Sequence, residues 1–368
     1  MSDLFARVPG AVIVGPGLEH LGNPLGEQRA LADGSAVVPL EDRRVLAIPG
    51  EDRLTWLDSL ASQSVATLRP GESTELLILD PNGRIEHAAS VVDDGETAWL
   101  IADGGDADAL LGWLLKMRFR LRVAPRDASG QYAVIGGTSA AVAGVGAASP
   151  FGLALIWRDP WPDVAIGGYG YAPAHPHPGE DRDWAEAIVE RSTLEALADA
   201  AARGERKLAG LSAAEALRVA SWRPRWANEV DERAIPHELD WMRTAVHLSK
   251  GCYRGQETVA KVHNLGHPPR RIVALQLDGS GSRLPVRGAD VRLGEDVVGT
   301  VTSVALHFEE GPVALAVIKR SVPVEAELTV DGEDAPIAAA QEVIVPPDAG
   351  ATANIPRMPR IGRRAPAR

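Results

Sequence analysis

The spacing of hydrophobic and polar residues changes twice along the chain. Up to about residue 265, short strand-like runs are mixed with stretches in which apolar residues recur every three or four positions. Residues 51–62 have this helical spacing, and residues 73–93 read as two strands joined by a turn at Asn82-Gly83. Because strands and helices do not alternate regularly, the pattern predicts an α+β fold rather than a doubly wound sheet.

Four other stretches of this first part lead to predictions. Residues 36–50 predict two short strands around a polar turn, and residues 106–119 predict an amphipathic helix with an acidic start. Residues 183–202 predict a second helix of the same kind. Residues 134–149 are rich in glycine and alanine, but their spacing matches neither a phosphate-binding loop nor a dinucleotide-binding turn. We therefore interpret 134–149 as a loop and a loosely packed edge.

The last quarter of the chain has a different pattern of hydrophobic and polar residues. From about residue 269 the helical spacing disappears, and short β-rich runs are separated by Gly and Asp. This pattern is typical of a small antiparallel barrel or sandwich. The final residues are rich in Pro, Ala and Arg and predict a disordered basic tail. The predicted domains are 1–265, in which 1–20 form an irregular arm, then the barrel at 266–346, and the tail at 347–368.

Composition narrows the class of protein. The net charge of −12 argues against a surface that binds nucleic acid or anionic membranes as a whole. No run of about 18 apolar residues suggests a membrane span, and the N-terminus does not resemble a signal peptide. The single cysteine excludes an internal disulfide and fits a reducing compartment. We expect a cytoplasmic protein without nucleic-acid or membrane partners.

That cysteine lies in the stretch SKGCYRGQETVAK. Lys250 and Arg254 flank Cys252, and the glycines at 251 and 255 permit unusual backbone angles. If a helix begins after Gly255, the thiol precedes the positive N-terminal end of that helix. The flanking cations, the two glycines and the helix end would then all favour a thiolate. The alternative is a small buried hydrophobic residue, which is how many cysteines behave.

Other chemistries find less support in the residues. A stable iron–sulfur or zinc site needs about four ligands, and Cys252 alone cannot supply them. His263 and His267 have helical spacing, but a Gly and a Pro interrupt the helix that they need, and His175 and His177 lie in a Pro-rich loop. We interpret all four as surface histidines. A cluster that is shared with another protein through Cys252 stays open.

One acid–base pair follows the predicted hairpin turn. Glu86 and His87 are neighbours on a strand, so their side chains point to opposite faces. Only one of them can therefore line a given pocket.

The residues around the cysteine carry a resemblance to a known family. The hairpin motif L-D-x-x-G-R-I is present at Leu79–Ile85. The signature K-G-C-[YF]-x-G-Q-E is present in full as Lys250-Gly251-Cys252-Tyr253-Arg254-Gly255-Gln256-Glu257. The sequence thus resembles the folate-binding YgfZ proteins, which are relatives of the aminomethyltransferase (T-protein) of the glycine cleavage system and of mitochondrial iron–sulfur cluster assembly factors. The resemblance spans about residues 20 to 345.

This resemblance implies a fold and a function. The expected fold has three lobes in a ring, two of them mixed α/β and the third a C-terminal antiparallel β-barrel. Tetrahydrofolate, with one or several glutamates, is expected in the central opening. The implied function is an accessory role in the assembly or repair of iron–sulfur proteins, and thereby in tRNA modification. The implied partners are folate and iron–sulfur assembly proteins or client enzymes.

The resemblance also implies roles for individual residues. The Cys252 thiolate would ligate a cluster iron transiently or attack an electrophile, and Lys250 would lower its pKa. The rest of the loop would shape and orient the thiol, through Gly251, Tyr253, Gly255, Gln256 and Glu257.

Folate binding is expected to involve Arg84, Glu86 and Arg218. T-proteins carry an acidic pair where this chain has Glu86-His87, and of the charged residues in their R-D-x-L-R-L-E motif only Arg218 remains. Two other functions stay open: a tetrahydrofolate-dependent aminomethyl or one-carbon transferase or demethylase, and a module that senses folate without chemistry.

Overall fold

A computed structural model describes residues 4–15, 17–173, 176–280 and 283–353. Its strands, numbered β1–β18 in chain order, are Val12–Val14, Gly17–His20, Ala36–Pro39, Arg43–Pro49, Ser73–Leu79, Ile85–Asp93, Thr97–Asp103, Arg126–Asp127, Tyr132–Gly137, Ile156–Arg158, Ala185–Glu190, Lys207–Leu208, Arg270–Leu277, Asp290–Leu293, Asp296–His307, Gly311–Lys319, Leu328–Val330 and Ile337–Val343. Its α-helices, α1–α8, are Pro24–Ala32, Arg53–Leu60, Ala107–Met117, Ser139–Ala143, Arg191–Ala202, Leu211–Ala220, Trp226–Glu229 and Gln256–Leu265, and Pro236–Leu239 forms a 3₁₀ helix.

Two five-stranded sheets form the first part of the molecule. One has the strand order β5-β6-β7-β4-β8, and the other has the order β10-β11-β9-β3-β12. Strand β4 shows how they pack, because its side chains alternate between faces. Val45 and Ala47 join the core between the two sheets, whereas Leu46 and Ile48 pack under helices α2 and α3. Helices α4 and α5 cover the outer face of the second sheet.

The C-terminal part is a closed antiparallel barrel with the strand order β13-β16-β15-β14-β17-β18. Strand β13 pairs with both β16 and β18, which closes the barrel. Val273, Leu275 and Leu277 alternate inward to form its core. The predicted α+β class and the C-terminal antiparallel barrel are therefore confirmed. None of the helices in the described residues is long and apolar enough to cross a membrane.

Two predictions of secondary structure in the first part of the chain were wrong. Residues 183–202 were predicted to be one helix, but 185–190 form strand β11, and α5 begins at Arg191. The strand lies between β9 and β10, and all but its last residue are buried, so burial outweighs the helix propensity of its alanines. Residues 134–149 were predicted to be a loop and an edge, but they contain most of the central strand β9 and helix α4.

The start of the predicted tail packs against the protein. Ala349 is buried in a hydrophobic cluster, and the Thr352 N–H donates to the carbonyl of His263. The Nη1 of Arg320 donates to the carbonyl of Pro347. Residues 347–353 are thus held in place, contrary to the expectation of disorder, because they cover the C-terminal end of α8. The rest of the tail, residues 354–368, lies outside the described residues.

A buried arginine joins the sheet region to the barrel. All five N–H groups of Arg218, on α6, donate hydrogen bonds, to Glu215, Glu229, Ser303 and the carbonyl of Arg223. Glu229 belongs to α7 and Ser303 to strand β15 of the barrel. Burial alone would raise the pKa of the Glu215 carboxyl, but Arg218, together with Arg225 and Arg43, outweighs that effect and the pKa falls to about 2.

We expect Arg218→Met to lower the free energy of unfolding by about 3–5 kcal/mol, because it leaves the Glu229 carboxylate buried without a cation. Urea denaturation measures this change. Arg203→Met is the control, because Arg203 forms an exposed pair with Glu205 and its loss should change stability little. Equal effects of the two substitutions on the free energy of unfolding would contradict the conclusion that the buried Arg218 joins the sheet region to the barrel.

Candidate functional site

The only cysteine lies on the surface. Cys252 is exposed, in the loop that leads into α8. Helix α8 begins at Gln256, and Gly255 is its N-cap, so the thiol precedes the start of a helix. The thiol is therefore accessible to a partner, and the alternative of a small buried residue is not what the structure shows.

The ammonium group of Lys250 is directed into the protein. Its Nζ donates to the carbonyls of Asp58, Ala61 and Gln63, at the C-terminal end of α2. A cation at this position complements the negative end of the helix dipole. Burial lowers the pKa of Lys250, and the nearby Asp58 carboxylate partly offsets that effect. Since all three N–H groups are engaged, Lys250 anchors the loop rather than donating a hydrogen bond to the Cys252 sulfur.

A close backbone contact fixes the other end of the loop. Gly255 has a φ of +85°, and a Cβ on it would lie 2.6 Å from the carbonyl oxygen of Asp80. On the other side of the contact, a Cβ on Gly83 would lie 3.1 Å from the Thr258 Cβ. The hairpin turn and the signature loop thus touch through two glycines. Their residues are far apart in sequence, but the structure brings the two motifs together.

Side chains strengthen the same contact. The Nη1 of Arg254 donates to a Glu86 oxygen at 2.6 Å. The amide of Gln256 donates to the carbonyl of Lys250 at 3.3 Å and closes the loop on itself. Tyr253 is buried, and burial raises the pKa of its hydroxyl. Glu257 is exposed at the first turn of α8. The loop is therefore rigidly held, with its thiol outside.

A central cavity of about 590 Å³ lies where the two sheets, α6 and the barrel meet. Its volume is within the range of small-molecule sites, about 300–1,000 Å³. Apolar residues such as Leu40, Ile101 and Leu211 form part of the wall, and four indole rings contribute to it, from Trp157, Trp184, Trp226 and Trp241. No residue of the Cys252 loop is among the described residues that line this cavity.

Charged residues form the rest of the cavity wall, and most of them are paired. Arg223 contacts Glu75 at 2.6 Å and Asp159 at 3.2 Å. Arg225 contacts Asp42 at 2.5 Å. Arg43 and Arg225 both donate to Asp103; burial alone would raise the pKa of that carboxyl, but the two guanidinium groups lower it. These pairs hold the walls of a polar cavity in place.

Several buried polar groups of this cavity lack a full set of partners. Among the described residues, Asp42 Oδ1, Arg223 Nη1 and Trp241 Nε1 are buried without a hydrogen bond. Glu186 is also buried, and burial raises the pKa of its carboxyl. Its one hydrogen bond comes from the Trp184 Nε1 at 3.2 Å. Buried polar groups are normally satisfied, so the residues that line this cavity are distinguished by two donors and two acceptors that are not fully paired within the protein.

The three residues expected to bind folate do not meet in this cavity. Arg218 lines it, but all its N–H groups are used within the protein. Arg84 and Glu86 line a separate cavity of about 790 Å³ between the hairpin and α3, the hairpin cavity. Glu86 is paired there with Arg254. The geometry therefore gives Arg218 and Glu86 roles in holding elements together.

Sequence reasoning missed the residues with unsatisfied groups. Asp42, Glu186, Arg223 and Trp241 belong to four separate segments, and nothing in their local spacing distinguishes them. One signal was available, the run SWRPRW at 221–226, in which two arginines alternate with tryptophan and proline in a chain of acidic charge.

The histidines have partners within the protein. His263 is buried and lies 2.9 Å from the Tyr171 hydroxyl through its Nδ1, and His267 contacts the carbonyl of Ala349 through its Nδ1. His177 is buried as well. The expectation of surface histidines is therefore wrong for His177 and His263, and His175 lies outside the described residues. No group of three or more potential metal ligands occurs among the described residues.

The side chains of Glu86 and His87 have different partners, but both residues line the hairpin cavity, so the prediction that only one of them can line a given pocket is wrong. Glu86 contacts Arg254, whereas His87 Nδ1 lies 2.6 Å from Asp106 at the start of α3. Both His87 and Asp106 are buried. Burial raises the pKa of the Asp106 carboxyl, and the hydrogen bond with His87 partly offsets that effect.

Comparison with known proteins establishes the fold. The chain is similar to the glycine cleavage system aminomethyltransferase T from Bartonella henselae, with a TM-score of 0.70 and 18% identity, over 92% of this chain and 94% of that one. It also matches a heterotetrameric sarcosine oxidase from Corynebacterium sp. U-96 at a TM-score of 0.25 and 13% identity, over 50% of this chain and 96% of that one, which supports no inference. No protein-family model and no curated sequence matches. The chain thus has the fold of aminomethyltransferase T.

We expect Gly255→Ala to lower the free energy of unfolding by about 2 kcal/mol or more, because it adds the cost of a left-handed alanine to a clash with the Asp80 carbonyl. Chemical denaturation measures the change. Gly251→Ala is a matched control in the same loop, because a Cβ there meets nothing within 4 Å. If both variants were as stable as the wild type, the two-glycine contact would not fix the loop.

Proposed function

We propose that this protein binds a reduced folate in its central cavity and acts, through the Cys252 loop, as an accessory factor for iron–sulfur proteins. One observation carries the first half of this proposal. A cavity in a chain with the aminomethyltransferase T fold has buried donors and acceptors that no other group of the protein satisfies.

The chemistry of a pterin complements these groups. Its pyrimidine edge carries an amino group and an N–H that can donate to carboxylates such as Glu186 and Asp42. Its carbonyl and ring nitrogen can accept from Arg223 Nη1 and Trp241 Nε1, and the flat ring system can pack on indole rings. Unsatisfied donors and acceptors also reject ligands that lack the matching groups, which favours specificity for a pterin. Reduced folates supply one-carbon units and reducing equivalents when bound.

The second half of the proposal rests on the signature loop. The Cys252 thiol is exposed, while Lys250 and Gly255 fix the loop on either side of it. One thiolate cannot hold a cluster, so any contact with a cluster borrows its other ligands from a second protein or a small thiol. An exposed thiol on a rigid loop is suited to such shared ligation.

One-carbon transfer by this chain is the alternative. T-proteins carry an acidic pair after the hairpin glycine, and Glu86-His87 takes that place in this chain. Because Glu86 is paired with Arg254 and lines the hairpin cavity, we prefer the accessory role.

We expect 5-formyl-tetrahydrofolate to bind the purified protein, and Trp241→Phe to weaken its binding about three- to tenfold. The substitution keeps an aromatic ring, although a phenyl is smaller than an indole, and removes one N–H that has no partner in the protein, which is worth about 1 kcal/mol when it is bonded to a ligand. Isothermal titration calorimetry measures both dissociation constants.

Trp157→Phe is the matched control for this experiment. Trp157 lines the same cavity, but its Nε1 already donates to the carbonyl of Thr74 at 2.7 Å, so this N–H is not available to a ligand. The control should reduce stability more than affinity. Absence of binding at millimolar folate would refute the proposed function.

We expect cells that lack this protein to lose activity of enzymes with four-iron clusters. Wild-type protein should restore these activities, and Cys252→Ser should not, because a hydroxyl is a poor ligand for iron in this setting. Gly251→Ala, an exposed change in the same loop, should restore them like the wild type. Restoration by Cys252→Ser would contradict the chemical role of the thiol and favour a folate-sensing module.

A further inference from the structure

The segment that follows helix α3 is exposed and basic. Residues 118–122 are all exposed, and their three arginines alternate with Phe119 and Leu121. A groove of about 550 Å³ runs beside them, lined by residues 118–124 together with Pro49 and Gly50. We call residues 116–122 the basic loop. The net charge of −12 argued against nucleic-acid binding by the surface as a whole, but this segment carries four cations and no carboxylate.

Most cations of the basic loop are not neutralised within the protein. Arg122 is the exception, because it is paired with Glu51 and Asp52. In the part of the chain that the structure describes, the other three make no ion pair and no side-chain hydrogen bond, namely Lys116, Arg118 and Arg120. A guanidinium group without a partner keeps its planar set of donors for an anion such as phosphate.

Phe119 has a backbone conformation that aromatic residues rarely adopt. Helix α3 ends at Met117, Arg118 is its C-cap, and Phe119 follows with a φ of +46°. This position after a helix usually holds glycine, because any Cβ in the left-handed region is strained. The residue is nevertheless 79% exposed, so burial of the ring does not compensate for the strain. Uncompensated backbone strain of this kind is typical of binding sites.

Contacts on either side hold the basic loop in place. The Ala124 N–H donates to the carbonyl of Pro49 at 3.0 Å. The Trp56 Nε1 donates to the carbonyl of Met117 at 3.1 Å, and thereby occupies one of the free acceptors at the negative end of α3. The ring and the cations are therefore presented together, and a ligand loses little affinity to the ordering of the loop.

We propose that the basic loop binds single-stranded nucleic acid. A base stacks on the exposed ring of Phe119, and Arg118 and Arg120 on either side of it contact phosphates. An anionic membrane is a poorer match, because an extended surface also meets the exposed Glu51 and the rest of an acidic chain. An acidic protein would engage the arginines, but it offers the ring no series of flat bases.

Fluorescence anisotropy at about 50 mM salt tests this proposal, with a labelled strand of about twelve nucleotides as RNA and as DNA. Binding of either strand supports the inference, and the comparison shows which sugar is preferred. The logarithm of the binding constant should fall with the logarithm of the salt concentration with a slope of about −2, which corresponds to three phosphate contacts on a single strand. A duplex of the same sequence should bind less tightly, because its bases are already stacked.

Two kinds of variant separate the charges from the ring. The double variant Arg118→Gln, Arg120→Gln should reduce the slope to about −0.7, which corresponds to one phosphate contact. Phe119→Gly should weaken binding about fivefold or more and leave the slope unchanged. Because glycine relieves the strained φ, Phe119→Gly should be at least as stable as the wild type in urea denaturation, so a loss of binding is not a loss of fold.

Phe151→Gly is the matched control for the ring. Phe151 is also exposed, but residues 145–157 around it contain no Lys or Arg, so binding should not change. Absence of binding to both strands at about 50 mM salt would overturn the inference. Equal affinities of the wild type and Phe119→Gly would overturn it too, as would tighter binding of the duplex. Binding to phosphatidylglycerol vesicles but to neither strand would overturn it in favour of a membrane surface.

Discussion

The balance of buried charge around Arg218 holds the molecule in its shape. A guanidinium group removed from water is costly unless each of its donors finds a partner, and Arg218 finds partners on α6, on α7 and on a strand of the barrel. The barrel therefore docks on the sheets through polar contacts as well as hydrophobic ones. Because the same elements surround the central cavity, this docking also sets the width of the cavity.

The central cavity and the thiol loop are separate, but they are mechanically connected. Trp226 lines the central cavity, and its Nε1 donates to the carbonyl of Glu86 at 3.0 Å. The Glu86 carboxylate is in turn held by Arg254, two residues from Cys252. A ligand that packs on Trp226 thus contacts a side chain that is linked to the loop by two contacts, Trp226 to Glu86 and Glu86 to Arg254. These contacts connect the two halves of the proposed function.

Local signals in the sequence were sufficient for part of this picture. The hairpin turn and the barrel depend on short-range patterns, and they were predicted correctly, whereas the helix after Gly255 was considered only as a condition for an activated thiol. Strand β11 was missed because all but its last residue are buried, so it lacks the alternation of apolar and polar residues that marks a half-buried strand, and only its neighbours in the sheet create this burial. The partners of Lys250 lie almost 190 residues away along the chain, so spacing alone could not show that its ammonium faces inward. Spacing alone could not reveal the unsatisfied cavity groups either, because a polar group is unsatisfied only when no hydrogen-bond partner lies near it in the folded protein.

The order of the strands has a consequence for synthesis of the chain. Strands β3 and β4 are neighbours in sequence but belong to different sheets, and the whole sheet β5-β6-β7-β4-β8 is encoded between β3 and its partner β9. On the ribosome, this inner sheet can complete its hydrogen bonds while β3 still waits for β9 and β12. The outer sheet then closes around an already folded unit, and the barrel follows. The order of the strands thus allows assembly from the inside outwards, in which the long-range pairing of β3 is completed only after β9 and β12 have been made.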